Sequence, residues 1–286
     1  AIESSGNEKL LSEFSDSLVG IQTGDDPMFI CYVWELQQIN HDIWEYLQVT
    51  PSLLGLFCGQ TNLIRWEKSE GRLHQSPSAR ATQGLNAVGQ KGIAIHRMRR
   101  IVPYLYSSER FHQNIAVLVP KNETNTVAIW CYCSSQQYNE AVRRIDQKLN
   151  VTNATLVKVP FDLERWSKVA EEKYPNGLPL PFSDDPTQWI FHGHPCKSVV
   201  WDEDAKWTGF GPIRFDSTVL HVAVARLLGY WWPAELDPKM ELAKEQRALV
   251  SECEALLPFA DNDGIVCIPS VGGEFSASER LLKMLK

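Results

Sequence analysis

The chain lacks the short motifs by which most enzymes show themselves in sequence. Its 286 residues contain no glycine-rich phosphate loop and no Gly-x-Ser-x-Gly elbow. Gly209-Phe210-Gly211 is a lone glycine pair, too short to mean a nucleotide site. No apolar run approaches the ~20 residues of a membrane span, and no secretory leader opens the chain. Both absences lead us to expect a cytoplasmic protein with no membrane partner. Cysteine is sparse and odd in number, seven scattered residues, which reads as reduced thiols packed in a core rather than a disulfide framework. In that setting the sequons at Asn122, Asn150 and Asn153 say nothing about glycosylation. The first residue is Ala1, which reads as a processed or engineered N-terminus.

Metal chemistry is thinly supported. Asp162 with Glu171-Glu172-Lys173 faintly echoes the carboxylate–carboxylate–lysine pattern of metal-dependent nucleases, but a solvated helix face explains it as well. His192-Gly193-His194-Pro195-Cys196 offers three ligands without a second cluster to complete a zinc site, so we expect a turn with hydrogen-bonded histidines and no metal.

A net basic surplus is missing too: the formal charge is −7, which by itself argues against a nucleic-acid partner. Its distribution reverses that argument. Residues 85–165 carry 11 Lys and Arg against 6 Asp and Glu, whereas residues 1–84 carry 5 against 11 and residues 166–286 carry 12 against 18. A basic centre between acidic arms is the asymmetry of a nucleic-acid binder. A solvated face of chance composition is the plainer alternative.

The elements can be read along the chain. Residues 1–15 are polar and helix-prone, and look like a linker or the tail of an upstream domain. A turn-rich stretch, Gly20-Ile21-Gln22-Thr23-Gly24-Asp25-Asp26-Pro27, leads into an aromatic strand, MFICYVWEL. Residues 67–92 are poor in apolar side chains and read as a long exposed loop. Alternation predicts a strand over 93–98. IAVLVP (115–120) and TVAIWCYC (126–133) read as two strands of a hairpin. Ser134 or Ser135 can cap the next helix, in which Tyr138, Val142, Ile145 and Leu149 make one apolar stripe. TLVKVPF (155–161) reads as a strand.

Beyond Trp166, residues 174–198 read as a proline-rich connector. Helices are expected over Ser217–Leu228, stopped by Gly229, and from Asp237-Pro238 to about Leu257. GIVCIP (264–269) reads as a strand, and Ser276-Ala277-Ser278-Glu279 as the capping box of a last helix. That helix meets no stop signal, which reads as a chain cut inside a longer protein. There is no internal repeat.

The basic centre supplies the candidate site. Lys91, Arg97, Arg99 and Arg100 lie on or beside one strand, and Arg143, Arg144 and Lys148 on the capped helix. Several cations on one surface are what phosphate neutralisation needs. Reading bases needs bidentate groups as well. Gln147, Asn150, Thr152, Asn153 and Thr155 stand just beyond the helix as candidates for base edges, or for local support through Asx turns.

These residues also carry a resemblance. YNEAVRRID followed by QKLNVTNATLVKVPFD (147–162) resembles the target-recognition region of large adenine-specific DNA methyltransferases. Such enzymes include fused restriction–modification methylases and methylases of BREX- and DISARM-type phage-defence systems. GIQTGDDPMF (20–29) is similar to the Gly-x-x-Thr-Gly-Asp/Asn-x-x-x-Phe element that opens this region. FHQNIAVLVPK (111–121), HVAVARLLGYWWPAELDP (221–238) and GIVCIPSVGGE (264–274) look like further family segments. The family's Phe-x-Gly-x-Gly-type S-adenosylmethionine motif and its Asn-Pro-Pro-Tyr motif are both absent, and the chain has no Asn-Pro dipeptide at all.

The resemblance therefore implies a recognition fragment. It would hold no cofactor itself, and S-adenosylmethionine would belong to a methyltransferase domain elsewhere in the parent protein. Double-stranded DNA, that domain and other defence-system subunits are the implied partners. The turn Gln22, Thr23, Gly24 and Asp25 would pack against the catalytic domain, and the loop from Arg65 to Gln90 would choose sequence. The expected fold is α+β, with a DNA-recognition domain over 1–165 built on a curved mixed sheet with flanking helices. A connector and smaller, mainly helical region would follow over 166–286. The rival reading is a module that docks other proteins, to which ten tryptophans and acidic arms are suited.

Overall fold

The structure, a computed structural model, describes residues 9–98 and 101–286. Eight strands build the first part of the chain: β1 (Ser15–Val19), β2 (Ile30–Tyr32), β3 (Trp44–Gln48), β4 (Asn62–Arg65), β5 (Gly92–His96), β6 (Val102–Tyr106), β7 (Arg110–Phe111) and β8 (Ile115–Pro120). They form two sheets. One is antiparallel throughout, in the order β1-β8-β5-β6. The other runs β2-β4-β3-β7 and is mixed, because β3 and β7 pair in parallel. IAVLVP becomes β8, held between β1 and β5. That position satisfies both edges, and packing covers both faces: Ile115 to Leu118 are all fully buried, so the run shows no alternation. Val117 and its cross-strand partner Ala94 join a core with Tyr104, Tyr106 and Phe111. The second sheet closes its own core around Phe29, Leu47, Ile64, Trp66 and Leu73. The α+β class is present as expected.

Helices α1 (Asp26–Phe29), α2 (Arg72–Gln75), α3 (Thr126–Cys133), α4 (Gln136–Ile145) and α5 (Leu163–Lys173) complete this part. Several expectations are corrected here. TVAIWCYC is helix α3, not a strand beside β8. Both edges of β8 are already taken, and α3 buries Ala128, Ile129, Trp130, Cys131, Tyr132 and Cys133. Burying a large apolar side chain is worth about 1.5–3 kcal/mol, which outweighs the ~1 kcal/mol span of strand propensity.

The apolar stripe also outlives its helix. Tyr138 and Val142 are buried, but Ile145 and Leu149 are 51% and 59% exposed. α4 stops because Asp146 turns extended and its carboxylate accepts the N–H groups of Lys148 and Thr152. TLVKVPF is not a strand either: Asn153–Val157 is a 3₁₀ turn, after which the chain pairs only through a Leu10–Pro160 bridge. The stretch 67–92 is less exposed than expected, since Leu73, Ala81 and Ala87 are buried in it.

The chain divides into two compact units, residues 1–178 and 179–286. The sequence had placed the change at Trp166. In the structure α5 goes with the first unit: Trp166 is buried 5.2 Å from Tyr132, and Trp130 Nε1 donates to the Tyr174 hydroxyl over 2.9 Å.

The second unit holds a two-stranded hairpin, β9 (Val199–Asp202) with β10 (Trp207–Phe210), and helices α6 (Thr218–Leu227), α7 (Pro233–Leu236), α8 (Lys244–Glu252) and α9 (Ala277–Met284). The hairpin was missed in sequence. So was the weight of the supposed connector, which buries Trp189, Ile190, Phe191 and His192 in this unit's core. The helix expected from Asp237 begins only at Lys244, because the Asp237 carboxylate accepts the N–H of Lys239 in a local turn. GIVCIP forms no strand, and Ile265 and Ile268 are 67% and 82% exposed. The capping box of the last helix is present: Ser276 Oγ accepts from Glu279 N, and Glu279 accepts from Ser276 N.

Candidate nucleic-acid interface

The end of β5 and the end of α4 come together at one edge of the first unit. Val151 N donates to Arg97 O over 3.2 Å, and Met98 pairs with Asn150 as an antiparallel bridge. Asn139 Nδ2 donates to Ile101 O over 3.2 Å, which seats α4 beside the same segment. Arg143 Nη1 in turn donates to Lys148 O over 2.5 Å. The segments bearing Arg97, Arg143, Lys148 and Asn150 therefore meet at one edge, with Arg144 next to Arg143 on α4, although some 50 positions separate Arg97 from the rest. The turn that shapes it is folded around Asp146. The N–H groups of Thr152 and then Lys148, hydrogen-bonded to the carboxylate, hold its pKa below the usual range.

The individual candidates differ in what they can offer. Arg144 is 76% exposed, with only a long ion pair to Glu140. Lys148, Gln147 and Asn150 are exposed. Arg97 is half-buried; its Nη2 donates to Gln113 O over 2.5 Å, and its Nε has no partner among the described residues. Burial pulls its pKa down, so it is a partly desolvated cation with an uncommitted donor. Lys91 sits before the opposite end of β5, roughly 20 Å from Arg97 at strand spacing, and does not join the edge. Arg99 and Arg100 lie outside the described residues.

Of the remaining polar candidates, several are committed to the framework. Asn153 Oδ1 accepts from Ser17 Oγ over 2.8 Å, and its Nδ2 donates to Ser17 O over 2.5 Å. Thr155 is buried and pairs with Thr152 over 2.7 Å.

The turn at Gln22–Asp25 rests on the loop below it. Arg80 N donates to Gln22 O over 2.7 Å. Gly24 has φ +77° and sits so close to Ser78 that a Cβ would lie 2.4 Å from its Oγ, so both conformation and space demand glycine. Buried Thr23 donates its hydroxyl to Asp26 and accepts from Asp25 N over 3.2 Å. The Asp26 carboxylate reaches His112 Nε2 at 3.2 Å, and His112 Nδ1 accepts from Asn114 N at 3.4 Å.

This Thr23–Asp26–His112 chain was not anticipated, because its members are far apart in sequence. The neighbouring stack of Tyr32 on Trp34 was missed too, because it forms where strand β2 gives way to a 3₁₀ turn over Val33–Glu35. In the loop over Arg65–Gln90, Glu67, Lys68 and Ser69 all have positive φ, 51°, 53° and 69°. The Glu67 carboxylate holds this left-handed turn by accepting from Arg72 N and Arg65 Nη2. Consecutive left-handed residues other than glycine are strained, and strain of this kind collects at functional loops.

The other motifs take structural places. His192 is fully buried, with Nδ1 accepting from His194 N over 2.9 Å and Nε2 facing Asp184 at 3.2 Å. His194 Nδ1 accepts from Cys196 N and Lys197 N, each over 3.1 Å. The segment is the hydrogen-bonded turn that its sequence suggested. Burial holds both histidines below their ordinary range, His194 at about 4.

Asp162 caps α5 by accepting from Arg165 N over 3.0 Å. The hollow of about 830 Å³ around it is lined by Lys9, Arg165 and Lys168 and equally by Asp162, Glu164 and Glu171, so it favours neither sign of charge. Among the described residues no three His, Cys, Asp or Glu side chains converge as a metal site, and no helix is long and apolar enough to cross a membrane. Compared with known protein families and with curated proteins, the chain matches neither a family nor a single relative.

Proposed function

We propose that the first unit binds duplex DNA along the edge formed by Arg97, Arg143, Arg144, Lys148 and Asn150. On this reading the chain is the target-recognition part of an adenine-specific DNA methyltransferase of a restriction–modification or phage-defence system. The observation that carries it is the pairing of Met98 with Asn150, which gathers cations from two distant segments onto one edge. Such an edge can neutralise successive phosphates and set register on the duplex. Gln147 and Asn150 are exposed amides beside it, the group type that reads adenine through two hydrogen bonds. The reaction class comes from the resemblance of residues 138–162 and 20–29 to such methylases.

The residues here do not fit S-adenosylmethionine. The chain has no glycine-rich loop for it and no Asn-Pro-Pro-Tyr motif, so no methyl-transfer step belongs to this chain. Its part is to clamp and read DNA whose flipped adenine another domain modifies.

Gel shifts on a duplex at 50 and 200 mM salt (about the range over which phosphate contacts lose their hold) test the reading. Binding should fall steeply with salt. Arg143→Ala/Arg144→Ala should lower the slope of log K against log salt by about 1.8, two phosphate contacts' worth. Binding that ignores salt, or no binding even with the catalytic domain restored, would sink it.

A protein-docking role for the second unit is favoured by one observation. Phe210, Ile213 and Phe215 are 60%, 62% and 90% exposed on a loop fixed by Gly211 N to Ser198 O and Arg214 N to Cys196 O, at 2.9 and 2.7 Å. Phe215→Asp should then weaken assembly with other subunits and leave the gel shift unchanged.

A further inference from the structure

The cavity beside the Gln22–Asp25 turn has the chemistry of a base-binding site. It is lined by Tyr32 together with Asp26, Glu35, Asn62, His112 and Asn114, with a volume of about 360 Å³. That lies at the small end of the range for small-molecule clefts, ~300–1,000 Å³. Tyr32 and Trp34 are 46% and 44% exposed and stack on each other, centroids 4.5 Å apart and planes within 9°. Each ring props the other, so Tyr32, which lines the cavity, needs little ordering on binding. Trp34 does not line the cavity. One ring face makes a stacking platform, whereas the cages that capture organic cations surround the ligand with several.

The polar rim is held in advance. Asp26 is fixed by Thr23 and His112. Glu35 Oε1 accepts from Tyr32 N over 2.9 Å, and Asn62 bonds Cys31 O and Thr61 Oγ1 at 3.3 and 2.7 Å. The Asn114 side-chain amide has no hydrogen-bond partner among the described residues. The lining holds two carboxylates and no Lys or Arg. It therefore repels phosphate and favours a neutral ring that brings hydrogen-bond donors.

We propose that this cavity takes a single unstacked nucleobase bearing an exocyclic amine, adenine or cytosine. The ring would stack on Tyr32, and its amine would be received by the carboxylates and by Asn114. The proposal rests on the DNA reading only for the source of the base.

Saturation-transfer NMR of the full chain with deoxyadenosine, deoxycytidine and thymidine tests it. Base protons of the first two should receive saturation, with dissociation constants about tenfold below that of thymidine. Tyr32→Ala should weaken both by about tenfold or more, and Tyr32 is exposed enough for the fold to survive the change. Glu35→Gln keeps the hydrogen bond to Tyr32 N and should erase the preference over thymidine. Arg143→Ala/Arg144→Ala should change nothing here. The proposal is overturned if no nucleoside binds, if Tyr32→Ala binds as well as the parent, if thymidine binds equally, or if arginine amide binds while the nucleosides do not. Nucleoside binding without a duplex shift would uphold the cavity and remove the DNA reading; a duplex shift without nucleoside binding would do the reverse.

Discussion

The two units differ in how much charge they bury. Residues 1–178 carry 18 Lys and Arg against 19 Asp and Glu, and most of these charges stay in water; the polar groups in this unit's cores are largely amides and hydroxyls such as Gln48, Gln60, Asn62, Thr23 and Thr155. Residues 179–286 carry 10 against 16 and bury ionisable groups. Arg226 and Glu235 pair with side chains only 3% exposed, while Arg226 also donates to Gly193 O over 2.9–3.0 Å and Glu235 accepts from Trp232 N over 2.8 Å. His192 is sealed in beside them, and Cys253 Sγ donates to its carbonyl over 3.3 Å. A buried amide needs only its hydrogen bonds, but a buried charge needs its partner as well. The first unit thus keeps most of its charges at the surface. The second is held by an internal electrostatic network that leaves apolar side chains outside.

The sharpest way to break this comparison is Glu235→Ala. It leaves the Arg226 guanidinium buried without a counter-charge and should cost about 3–5 kcal/mol. Hydrogen exchange in urea should show residues 179–286 opening while the first unit holds; both opening together would refute the contrast. Next in size is Asn153→Ala, which removes both bonds to Ser17 and should cost the first unit about 1–2 kcal/mol. If Asn153 is framework, as its contacts argue, the variant's DNA sequence preference should be unchanged in a selection from random duplexes.

The pH response should differ between the units in size, since burial also lowers His74 and His96 in the first. His192 and His194 have folded pKa values lowered by burial, below the ordinary ~6.5 of an unfolded histidine. Between about 6.5 and 4 the unfolded chain therefore binds more protons. The stabilisation is complete above 6.5 and is lost as the pH falls towards 4, by about 1 kcal/mol because His194 is only part-buried. Urea melts at pH 7 and pH 5 should show this loss in the second unit. The smallest effect concerns the strained loop. Lys68→Gly relieves one left-handed residue and should raise stability by about 0.5–1 kcal/mol in a thermal melt. A rise with weakened DNA discrimination would tie that strain to function.

What could be read in advance followed local chemistry. Ser135 caps α4 by accepting from Tyr138 N over 3.2 Å, and Ser276 caps the last helix, because a cap is made by residues three apart. Strands β5 and β8 and helix α6 came from runs whose burial needs no knowledge of their neighbours' identity. Failures came where neighbours decide. An eight-residue apolar run such as TVAIWCYC suits a buried strand or a buried helix equally. Asp237 and Asp146 looked like a helix start and a helix interior, yet each carboxylate captured nearby N–H groups and ended the regular structure there. The site divided along the same line. The cations of α4 were visible as the residues left over from its buried face, whereas Asp26 and His112, 86 positions apart, were not a visible pair.

The amino-acid order by itself determined the α+β class, the caps, the basic centre and the lack of a glycine-rich phosphate-loop motif, since these depend on composition and on residues a few positions apart. Tertiary structure alone decided which edges of β8 were free, and hence that α3 is a helix. It also decided that Met98 meets Asn150, and that Asp26, His112 and Tyr32 line one open hollow. The physical reason is the same in each case: sheet pairing and cavity walls depend on which distant segments compete for one place, and the winner is set by burial summed over the whole unit.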